Sequence, residues 1–364
     1  MRSRKPFDCE RLIGVSASRK SNRQSARPAS LATLAEHLGL SPAAISRVLN
    51  RVPAAKSIPQ ATQERIFAAA KLFNYRPNVL ARSLQRGHSM TIGVLMPEVS
   101  EGYATLVLAG IEQALLQAGY CYLLNSHHRR EELVERSIRM FEERSTDGMI
   151  AIDTVLHHDT HLPTVTVSCP LQPGDAIRIT LDHSRAAELA IDHLVELGHT
   201  RIAILKGQAF SSDTEPRAQA IHRAAARAGI TVPDALIEQL QGDTPTSEPG
   251  YQAAQRLIAS KAAFTALFAF NDVSAIGAIR ALREAGLRVP QDVSVVGFDD
   301  VQSAAFQNPA LTTVRQPLHS MGMLAAETLI QQIASSATQD AVRQVMVDPE
   351  LIVRESTGPA PAKR

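Results

Sequence analysis

The order of apolar and polar positions divides the chain into a helical N-terminal part and a long alternating body. After about residue 90, apolar runs of strand length such as "TIGVLMP", "RIAILKG" and "VSVVGFDD" are separated by amphipathic stretches such as "AIGAIRALREAG". Strands that are apolar on both faces and alternate with helices are typical of parallel sheets covered by helices. The pattern therefore predicts an α/β body, and its length accommodates two such sheets.

The N-terminal part predicts three short helices. Apolar residues recur at helical spacing over 31–38, and Gly39 permits the positive φ at which a helix ends. Ser41 can cap a second helix whose first position is Pro42, and a third helix is predicted over 60–73. Two short helices around a glycine turn form a helix-turn-helix, whose second helix enters the DNA major groove. Many small helical pairs share this spacing, so the pattern alone also allows a purely structural role.

Charge favours the DNA-binding interpretation. Residues 1–90 contain 16 Lys and Arg against 4 Asp and Glu, whereas the remainder contains 22 against 32. This asymmetry indicates a polyanion-binding head on an acidic body. Residues 1–28 have the composition of a disordered basic tail, yet 29–90 alone still contain 8 basic and 2 acidic residues.

Several other classes of protein are disfavoured. No apolar run approaches the length of a membrane span, and the N-terminus lacks the apolar region of a secretory signal. Cys9, Cys121 and Cys169 have no metal-ligand spacing and cannot all pair, which fits a reducing cytoplasm. No set of His and Cys ligands is apparent, and we expect no metal and no cofactor. Neither a phosphate-binding glycine loop nor a "GxSxG" nucleophile motif is present, which argues against an enzyme.

Three segments together resemble one family. "LAEHLGLSPAAISRVLN", "NYRPNVLARSLQRG" and "TIGVLMP" resemble the head, hinge and first core strand of the lactose/galactose repressor (LacI/GalR) family. "LVELGHTRIAIL" and "PALTTVRQP" resemble its ligand-binding core, so the resemblance covers residues 29–355. It implies a cytoplasmic homodimer that represses transcription, binding a pseudo-palindromic double-stranded operator and a small-molecule effector. An activator or a corepressor-dependent regulator of the same family is the alternative. A solute-binding protein without DNA function is a remote one, since it needs a signal peptide and no basic head.

The resemblance also implies the architecture, an all-α helix-turn-helix head with a hinge helix and an α/β core of two doubly wound, periplasmic-binding-protein-like subdomains. The expected segments are a disordered tail at 1–28, the head at 29–76, the hinge at 77–90, the core at 91–355 and a flexible tail at 356–364. Within the core, the first subdomain is expected at 91–181 and 316–343, and the second at 182–315 and 344–355.

By the same resemblance, DNA contacts come from the second helix and the hinge. Arg47 would grip guanine with two hydrogen bonds, whereas Pro42 and Ala43 offer apolar contact or simply form the helix. Leu84 matches the hinge leucine that wedges into the minor groove and kinks the duplex. The full set of expected DNA-binding residues is Ser41, Pro42, Ala43, Ser46, Arg47, Asn50, Ala81, Arg82 and Leu84.

Effector contacts are expected at the carboxyl ends of the parallel strands, where ligands of such sheets bind. Arg217 matches the family's arginine for ligand hydroxyls or carboxylates, Asn271 its amide, and Asp299 its carboxylate for hydroxyls or amines. Tyr103 and Asp153 complete the set, with Glu98 and Ser100 as weaker candidates from the first strand–helix loop. Asp272 and Asp300, each beside one of these residues, could instead cap helices.

The sequence departs from the family pattern in several places. The turn before the third helix is about three residues longer than usual, with Pro59 where a serine cap is expected. Thr244 stands where an aromatic residue often stacks on a sugar, and the chain has no tryptophan, which weakens the case for a plain hexose. The C-terminus has no leucine heptads, so a dimer is expected rather than a tetramer. His127 and His128 are expected on the solvated surface.

Overall fold

The fold is described from a computed structural model. It covers residues 29–75, 87–100, 102–158, 160–169, 176–243, 245–335 and 344–362. These residues fall into two compact units, a head at 29–75 and a core at 87–362. The predicted tail 1–28, most of the predicted hinge with Ala81, Arg82 and Leu84, and Thr244 lie outside the described residues.

The head consists of three helices and one short turn. They are α1 (Leu31–Leu38), α2 (Pro42–Leu49), a 3-10 turn (Pro53–Ser57) and α3 (Gln60–Leu72). The Ser41 hydroxyl accepts from the Ala44 N–H at 3.2 Å and caps α2, and Gly39 ends α1 at φ 64°. Leu34, Ile45 and Ile66 are fully buried between the helices. The predicted helix-turn-helix and third helix are therefore confirmed.

Gln63, in the first turn of α3, holds the long turn that precedes this helix. Pro59 offers no side-chain cap. Instead, the Gln63 amide donates to the carbonyl oxygens of Ala55 and Ile58 at 3.1 and 2.8 Å. Because these bonds satisfy two turn carbonyls, α3 begins at Gln60 despite the missing serine.

The core contains strands and helices that alternate over most of its length. In chain order they are β1 (Thr91–Met96), α4 (Tyr103–Gln117), β2 (Cys121–Ser126), α5 (Glu131–Glu143), β3 (Gly148–Ile152), β4 (Thr164–Val167), β5 (Ile177–Leu181), α6 (His183–Glu196), β6 (Ile202–Lys206), α7 (Thr214–Arg227), β7 (Ile237–Gln239), α8 (Glu248–Ala259), β8 (Ala266–Ala269), α9 (Asp272–Glu284), β9 (Ser294–Asp299), α10 (Gln302–Phe306), β10 (Thr312–Arg315), α11 (Leu318–Ala334), β11 (Gln344–Val347) and β12 (Glu350–Ile352).

These elements build two six-stranded sheets. The first has the order β11-β5-β4-β3-β1-β2, and all its pairs are parallel. The second has the order β12-β10-β9-β8-β6-β7, parallel except for the edge strand β12. Buried apolar residues cover both faces of each sheet. The expected pair of doubly wound subdomains is confirmed, and we call them the first and second subdomains.

Two expected boundaries are wrong. The flexible tail was expected to begin at Ser356, but Ser356 is fully buried, and its hydroxyl donates to the Val295 carbonyl oxygen at 2.6 Å and accepts from the Thr312 N–H at 2.8 Å.

The other wrong boundary lies between the subdomains. Residues 344–347 were assigned to the second subdomain, but they form β11 beside β5 in the first sheet. The Arg178 guanidinium donates to the Gln344 side-chain oxygen at 2.8 Å, and the Gln344 amide donates to the Thr180 hydroxyl at 3.0 Å. The chain crosses to the second sheet only after Val347, where β12 begins at Glu350.

Each subdomain contains a pair of helices in backbone contact. A Cβ added at Gly110 in α4 would collide with the His319 carbonyl oxygen of α11, and one at Gly322 would collide with that of Val107. In the second subdomain, a Cβ at Gly277 of α9 would likewise collide with the carbonyl oxygen of Ser247, the residue before α8. Glycine is required at these crossings because any side chain would separate the helices.

The substitution Gly110→Ala is expected to lower the free energy of unfolding of the core by about 1–3 kcal/mol, the usual cost of overpacking. Urea denaturation of the full chain measures the loss. Ala109→Ser, at an exposed position next to it on α4, is the matched control and should change stability by less than about 0.5 kcal/mol. Equal stability of the two variants would contradict the close helix contact.

Candidate functional site

The outward face of α2 carries the predicted base-reading residues. Pro42, Ala43 and Arg47 are exposed, and the Arg47 guanidinium makes no hydrogen bond or ion pair with the residues that the structure describes. Ser46 and Asn50 are half-buried and bonded to each other, the Asn50 amide donating to the Ser46 hydroxyl at 3.1 Å. Ser41 uses its hydroxyl as the cap of α2. Arg47 is therefore the long polar side chain of this helix that is free to reach a ligand.

The surface of the head is basic. Its exposed charged residues within 29–75 are Arg47, Arg51, Lys56, Arg65 and Lys71 against Glu36 and Glu64. A cationic surface beside an exposed helix attracts the phosphates of a nucleic acid. The charge of the head and the exposed face of α2 thus both indicate a nucleic acid as the partner.

In the core, all five predicted effector residues line one cavity. Tyr103 and Asp153 come from the first subdomain, and Arg217, Asn271 and Asp299 from the second. The cavity has a volume of about 130 Å³ and lies at the carboxyl ends of strands from both sheets. Glu98 and Ser100 line it as well. A small molecule in this cleft would contact both subdomains at once.

Arg217 is held rigidly inside the cleft wall. It is 3% exposed, and its guanidinium donates to the Phe270 carbonyl oxygen at 2.5 Å and to the Asp213 carboxylate at 3.3 Å. The same group stacks on the rings of Phe298 and Phe270, with distances of 3.7 and 4.4 Å to the ring centroids. Its Nε has no hydrogen-bond partner within the described part of the chain. That N–H is a guanidinium donor still available to a ligand.

Asp299 ends β9 with its carboxylate in the cavity. It is 6% exposed and accepts a hydrogen bond of 2.6 Å from the Gln316 amide. Burial raises the pKa of Asp299 to about 7, although Arg217 and the Gln316 bond both favour its ionised form. Gln316 lies where the chain crosses from β10 of the second sheet to α11 of the first subdomain. The carboxylate is therefore tied to a connection between the subdomains.

Two polar doublets follow strands of the second sheet, Asn271–Asp272 and Asp299–Asp300, and in each the first residue lines the cavity while the second bonds within the fold. Asn271 lines the cavity, but its side-chain oxygen accepts from the Ser274 N–H at 2.9 Å as the cap of α9, so only its NH₂ group is available to a ligand. Asp272 is fully buried and accepts from the Val301 N–H at 2.8 Å and the Thr313 hydroxyl at 2.6 Å. Asp300 is bound by two arginines, at 2.7 and 2.6 Å. Asp272 and Asp300 are thus engaged by protein partners rather than directed into the cavity.

Asp153 lies at a contact between the two subdomains. The Arg129 guanidinium pairs with one of its oxygens at 3.2 Å and covers the Phe210 ring at 4.1 Å. The hydroxyl of Ser212, from the second subdomain, approaches Asp153 at 3.3 Å and donates to the Ser168 carbonyl oxygen at 2.8 Å. Burial raises the pKa of Asp153 to about 6, against the effect of Arg129. These contacts join the two subdomains at this side of the cleft.

Several cleft residues were missed by sequence reasoning. Asp213 lies between Arg217 and His183, at 3.3 Å from each, and these partners keep its pKa below the ordinary value despite burial. Its position four residues before Arg217 is the one signal that could have identified it. The other cavity residues in this group had no sequence signal, and they are Arg129, Ser168, Gln208, Phe210, Phe270 and Gln316.

The expectation of a solvated histidine pair is wrong for His127. This ring is 4% exposed, with Nε2 at 2.9 Å from the Thr154 hydroxyl and Nδ1 accepting from the Arg129 N–H at 3.1 Å. Burial lowers the pKa of His127 to about 4, so the ring is neutral and orients the loop that carries Arg129. His128 is exposed, as expected. Within the described ranges, no three His, Cys, Asp or Glu side chains cluster as a metal site would require, and no helix could cross a membrane.

A basic helix-turn-helix head joined to a two-subdomain ligand cleft defines a ligand-responsive DNA-binding regulator. A periplasmic binding protein-like domain matches residues 191–357. The relative "HTH-type transcriptional repressor PurR" of Erwinia tasmaniensis is 32% identical over 92% of this chain and 98% of its own length. The ribose operon repressor of Escherichia coli is 30% identical over 90% and 99%. The chain belongs to the LacI family of transcriptional repressors.

Solved structures agree with this assignment. The lac repressor dimer bound to operator and the anti-inducer ONPF has a TM-score of 0.81 and 27% identity, covering 91% of this chain and all of that one. The regulator CelR in complex with cellobiose has a TM-score of 0.67 and 26% identity, covering 90% and 99%. Head and core together therefore share the fold of operator-binding regulators.

Proposed function

We propose that this chain is a cytoplasmic, homodimeric repressor whose affinity for operator DNA is set by a small molecule in the cleft, and that it does not turn this molecule over. The observation that carries the proposal is the cavity between the subdomains, which is lined by polar side chains from both of them. The lac repressor offers the precedent, since its dimer was solved with both operator and a ligand bound.

The cleft suggests how a ligand would act on DNA binding. Arg129 and Asp153 from the first subdomain already meet Phe210 and Ser212 from the second. A ligand that adds contacts to both sides stabilises the closed arrangement, and it shifts the equilibrium only by its difference in affinity for the two arrangements. Such coupling between sites is typically about 1–3 kcal/mol.

We assign the DNA contacts to two places in each protomer. Arg47 would read a base edge in the major groove, with Pro42 and Ala43 beside it and Ser41, Ser46 and Asn50 near the phosphates. By family resemblance, Leu84 would wedge into the minor groove at the central step, with Ala81 and Arg82 adjacent. Two protomers would then require a pseudo-palindromic site with a deformable centre.

Selection of bound fragments from a random DNA pool tests this function. The expected result is a short palindrome with a flexible central step, enriched at both low and high salt. Sequence-independent enrichment that disappears at high salt would contradict specific recognition, because it would show phosphate attraction alone.

Arg47→Ala is expected to weaken binding to the selected site by about 5- to 150-fold, since one good pair of hydrogen bonds to a base contributes about 1–3 kcal/mol of discrimination. The loss should be smaller on a site whose contacted base is changed. Fluorescence anisotropy with both DNA sites measures the two losses. Lys56→Ala, which removes another exposed positive charge of the head, is the control and should weaken binding to both sites equally. Equal losses for Arg47→Ala would contradict its base-reading role.

A further inference from the structure

A single carboxylate of the core binds the chain where the predicted hinge ends. Asp147 comes directly before β3, and its side chain is only 4% exposed. One of its oxygens accepts from the Ser89 N–H at 2.6 Å and the Ser89 hydroxyl at 2.9 Å, and the other accepts from the Met90 N–H at 2.9 Å. Hydrogen bonds to a charged group are about twice as strong as those between neutral groups. Residues 89 and 90 are therefore fixed on the first sheet before β1 begins at Thr91.

The backbone at this point has a conformation that needs such support. Met90 lies at φ 55°, in the left-handed region that residues other than glycine rarely adopt. Its carbonyl oxygen accepts from the Cys121 N–H at 2.9 Å, and the Thr91 carbonyl oxygen accepts from the Asp147 N–H at 2.8 Å. A residue persists in this region only when its surroundings hold it there. Asp147 thus helps to fix the turn at Met90, and with it the direction in which the chain leaves β1 towards the hinge.

β3 joins this carboxylate to the ligand cleft. Its five residues are all buried, and the strand lies between β1 and β4 in the sheet. Asp147 precedes it and Asp153 follows it, so the two residues lie about 20 Å apart at a rise of ~3.3 Å per residue. Asp153 meets Ser212 of the second subdomain at 3.3 Å. One paired strand therefore runs from the contact between the subdomains to the end of the hinge.

The partners of Asp147 distinguish this role from a general role in the sheet. Within the described part of the chain, its carboxylate bonds only to residues 88–90, since the His88 Nδ1 lies at 3.8 Å and the other partners are Ser89 and Met90. β3 pairs with β1 and β4 through the backbone of residues 148–152, without this side chain. A neutral side chain at 147 would leave that pairing intact and would release only the end of the hinge.

We infer that Asp147 is the positioning residue through which the state of the cleft reaches the DNA-binding end of the protein. The carboxylate fixes residues 89 and 90 to the strand whose other end meets the second subdomain. A rearrangement of the cleft therefore moves the end of the hinge instead of being absorbed by a loose connection. Coupling between distant sites requires an element that both sites bias, and β3 with its two flanking carboxylates is such an element. This inference deepens the proposed function and rests on it.

The test measures the affinity of the full-length protein for two DNA duplexes of equal length by fluorescence anisotropy. One duplex is the palindrome obtained by selection, and the other has a random sequence. Asp147→Asn keeps the size of the side chain, but its NH₂ group replaces an acceptor and faces an N–H donor. We expect the affinity for the palindrome to fall by at least about 5-fold, the lower end of coupling between sites. Binding to the random duplex, which depends on phosphate contacts of the basic head, should stay unchanged.

Two further variants separate positioning from loss of stability. Ser356→Ala removes two buried hydrogen bonds of the second subdomain, to Val295 and Thr312. It also destabilises the core, but it should leave both affinities unchanged. Ser89→Ala removes one donor to Asp147 and should cause a smaller loss on the palindrome. Combined with Asp147→Asn it should add little further loss, because the two residues act through one interaction.

The link to the cleft is measured by repeating the palindrome titration with a small-molecule extract of the cells that carry the gene. The ratio of the affinities with and without the extract should differ from one in the unchanged protein and in Ser356→Ala. In Asp147→Asn the same ratio should approach one, because the end of the hinge no longer follows β3.

Equal losses of Asp147→Asn on both duplexes, or an equal loss in Ser356→Ala, would overturn the inference, because they would show a structural role alone. A response to the extract as large in Asp147→Asn as in the unchanged protein would also overturn it. A selection that yields no palindrome, or an unchanged protein that does not respond to the extract, would instead contradict the proposed function, and the inference with it.

Discussion

Asp299→Asn is expected to raise the free energy of unfolding by about 2–4 kcal/mol at pH 8, which is a large effect for a single substitution in a ligand cleft. The pKa of Asp299 is raised from 3.8 to about 7 by burial in the fold. The folded state therefore binds a proton more tightly than the unfolded chain, and stability falls as pH rises from about 4 to about 7. Asparagine is neutral, similar in size, and able to accept from the Gln316 amide, so it removes this cost.

Urea denaturation of Asp299→Asn and the unchanged protein between pH 4 and pH 8 measures the effect. The difference in the free energy of unfolding should be near zero at pH 4, grow through pH 5 to 7, and stay constant above. The groups that face Asp299 are Arg217, Asp213, Gln316 and Asp272, and all remain in both proteins. Asp153, with its own pKa of about 6, titrates in both as well. A variant no more stable than the unchanged protein at pH 8 would contradict the burial of the Asp299 carboxylate.

Arg217→Ala is expected to have the opposite effect and to lower the free energy of unfolding by about 3–5 kcal/mol. The substitution leaves Asp213 buried with His183 as its remaining partner. It also removes the donor from the Phe270 carbonyl oxygen and the stacked group from the Phe298 ring. Loss of one member of a buried ion pair costs far more than loss of a surface pair, because the remaining charge stays out of water.

The same denaturation experiment with Arg217→Lys separates charge from shape. Lysine keeps the positive charge but lacks the planar fork and the stacking surface, so its stability should lie between those of the alanine variant and the unchanged protein. Arg223→Ala, at an exposed position on the same helix, should change stability by less than about 0.5 kcal/mol. If Arg217→Ala behaved like Arg223→Ala, the described packing of the guanidinium would be wrong.

The elements of the fold were predictable wherever local chemistry decides them. Ser41, Pro42 and Gly39 mark helix ends through capping and backbone geometry that involve only near neighbours. Apolar runs marked the parallel strands because both sheet faces are covered. β11 was misassigned because four residues with alternating exposure carry no local sign of which sheet edge they join. Its pairing with β5 depends on contacts 166 residues apart in the chain.

The strand ends that line the cleft could be predicted from the sequence, but the side chains that enter the cavity and bond to one another there could not. Strand ends identified the doublets that contain Asn271 and Asp299, but adjacent side chains point in different directions, and only the fold decides which one enters the cavity. Gln316 and Arg129 have no distinctive neighbours in sequence. Their roles arise because crossover segments and loops from distant parts of the chain meet at the same place.

The most direct measurement is the affinity for the selected DNA site in the unchanged protein and in Asp299→Asn. It is made with and without a small-molecule fraction, from the cells that carry the gene, that raises the melting temperature of the protein. We expect the fraction to change the affinity of the unchanged protein by about 5- to 150-fold, in either direction. In the variant, the ratio of the two affinities should approach one. A fraction that raises the melting temperature but leaves DNA affinity unchanged, or that changes it equally in both proteins, would contradict control of DNA binding from this cleft.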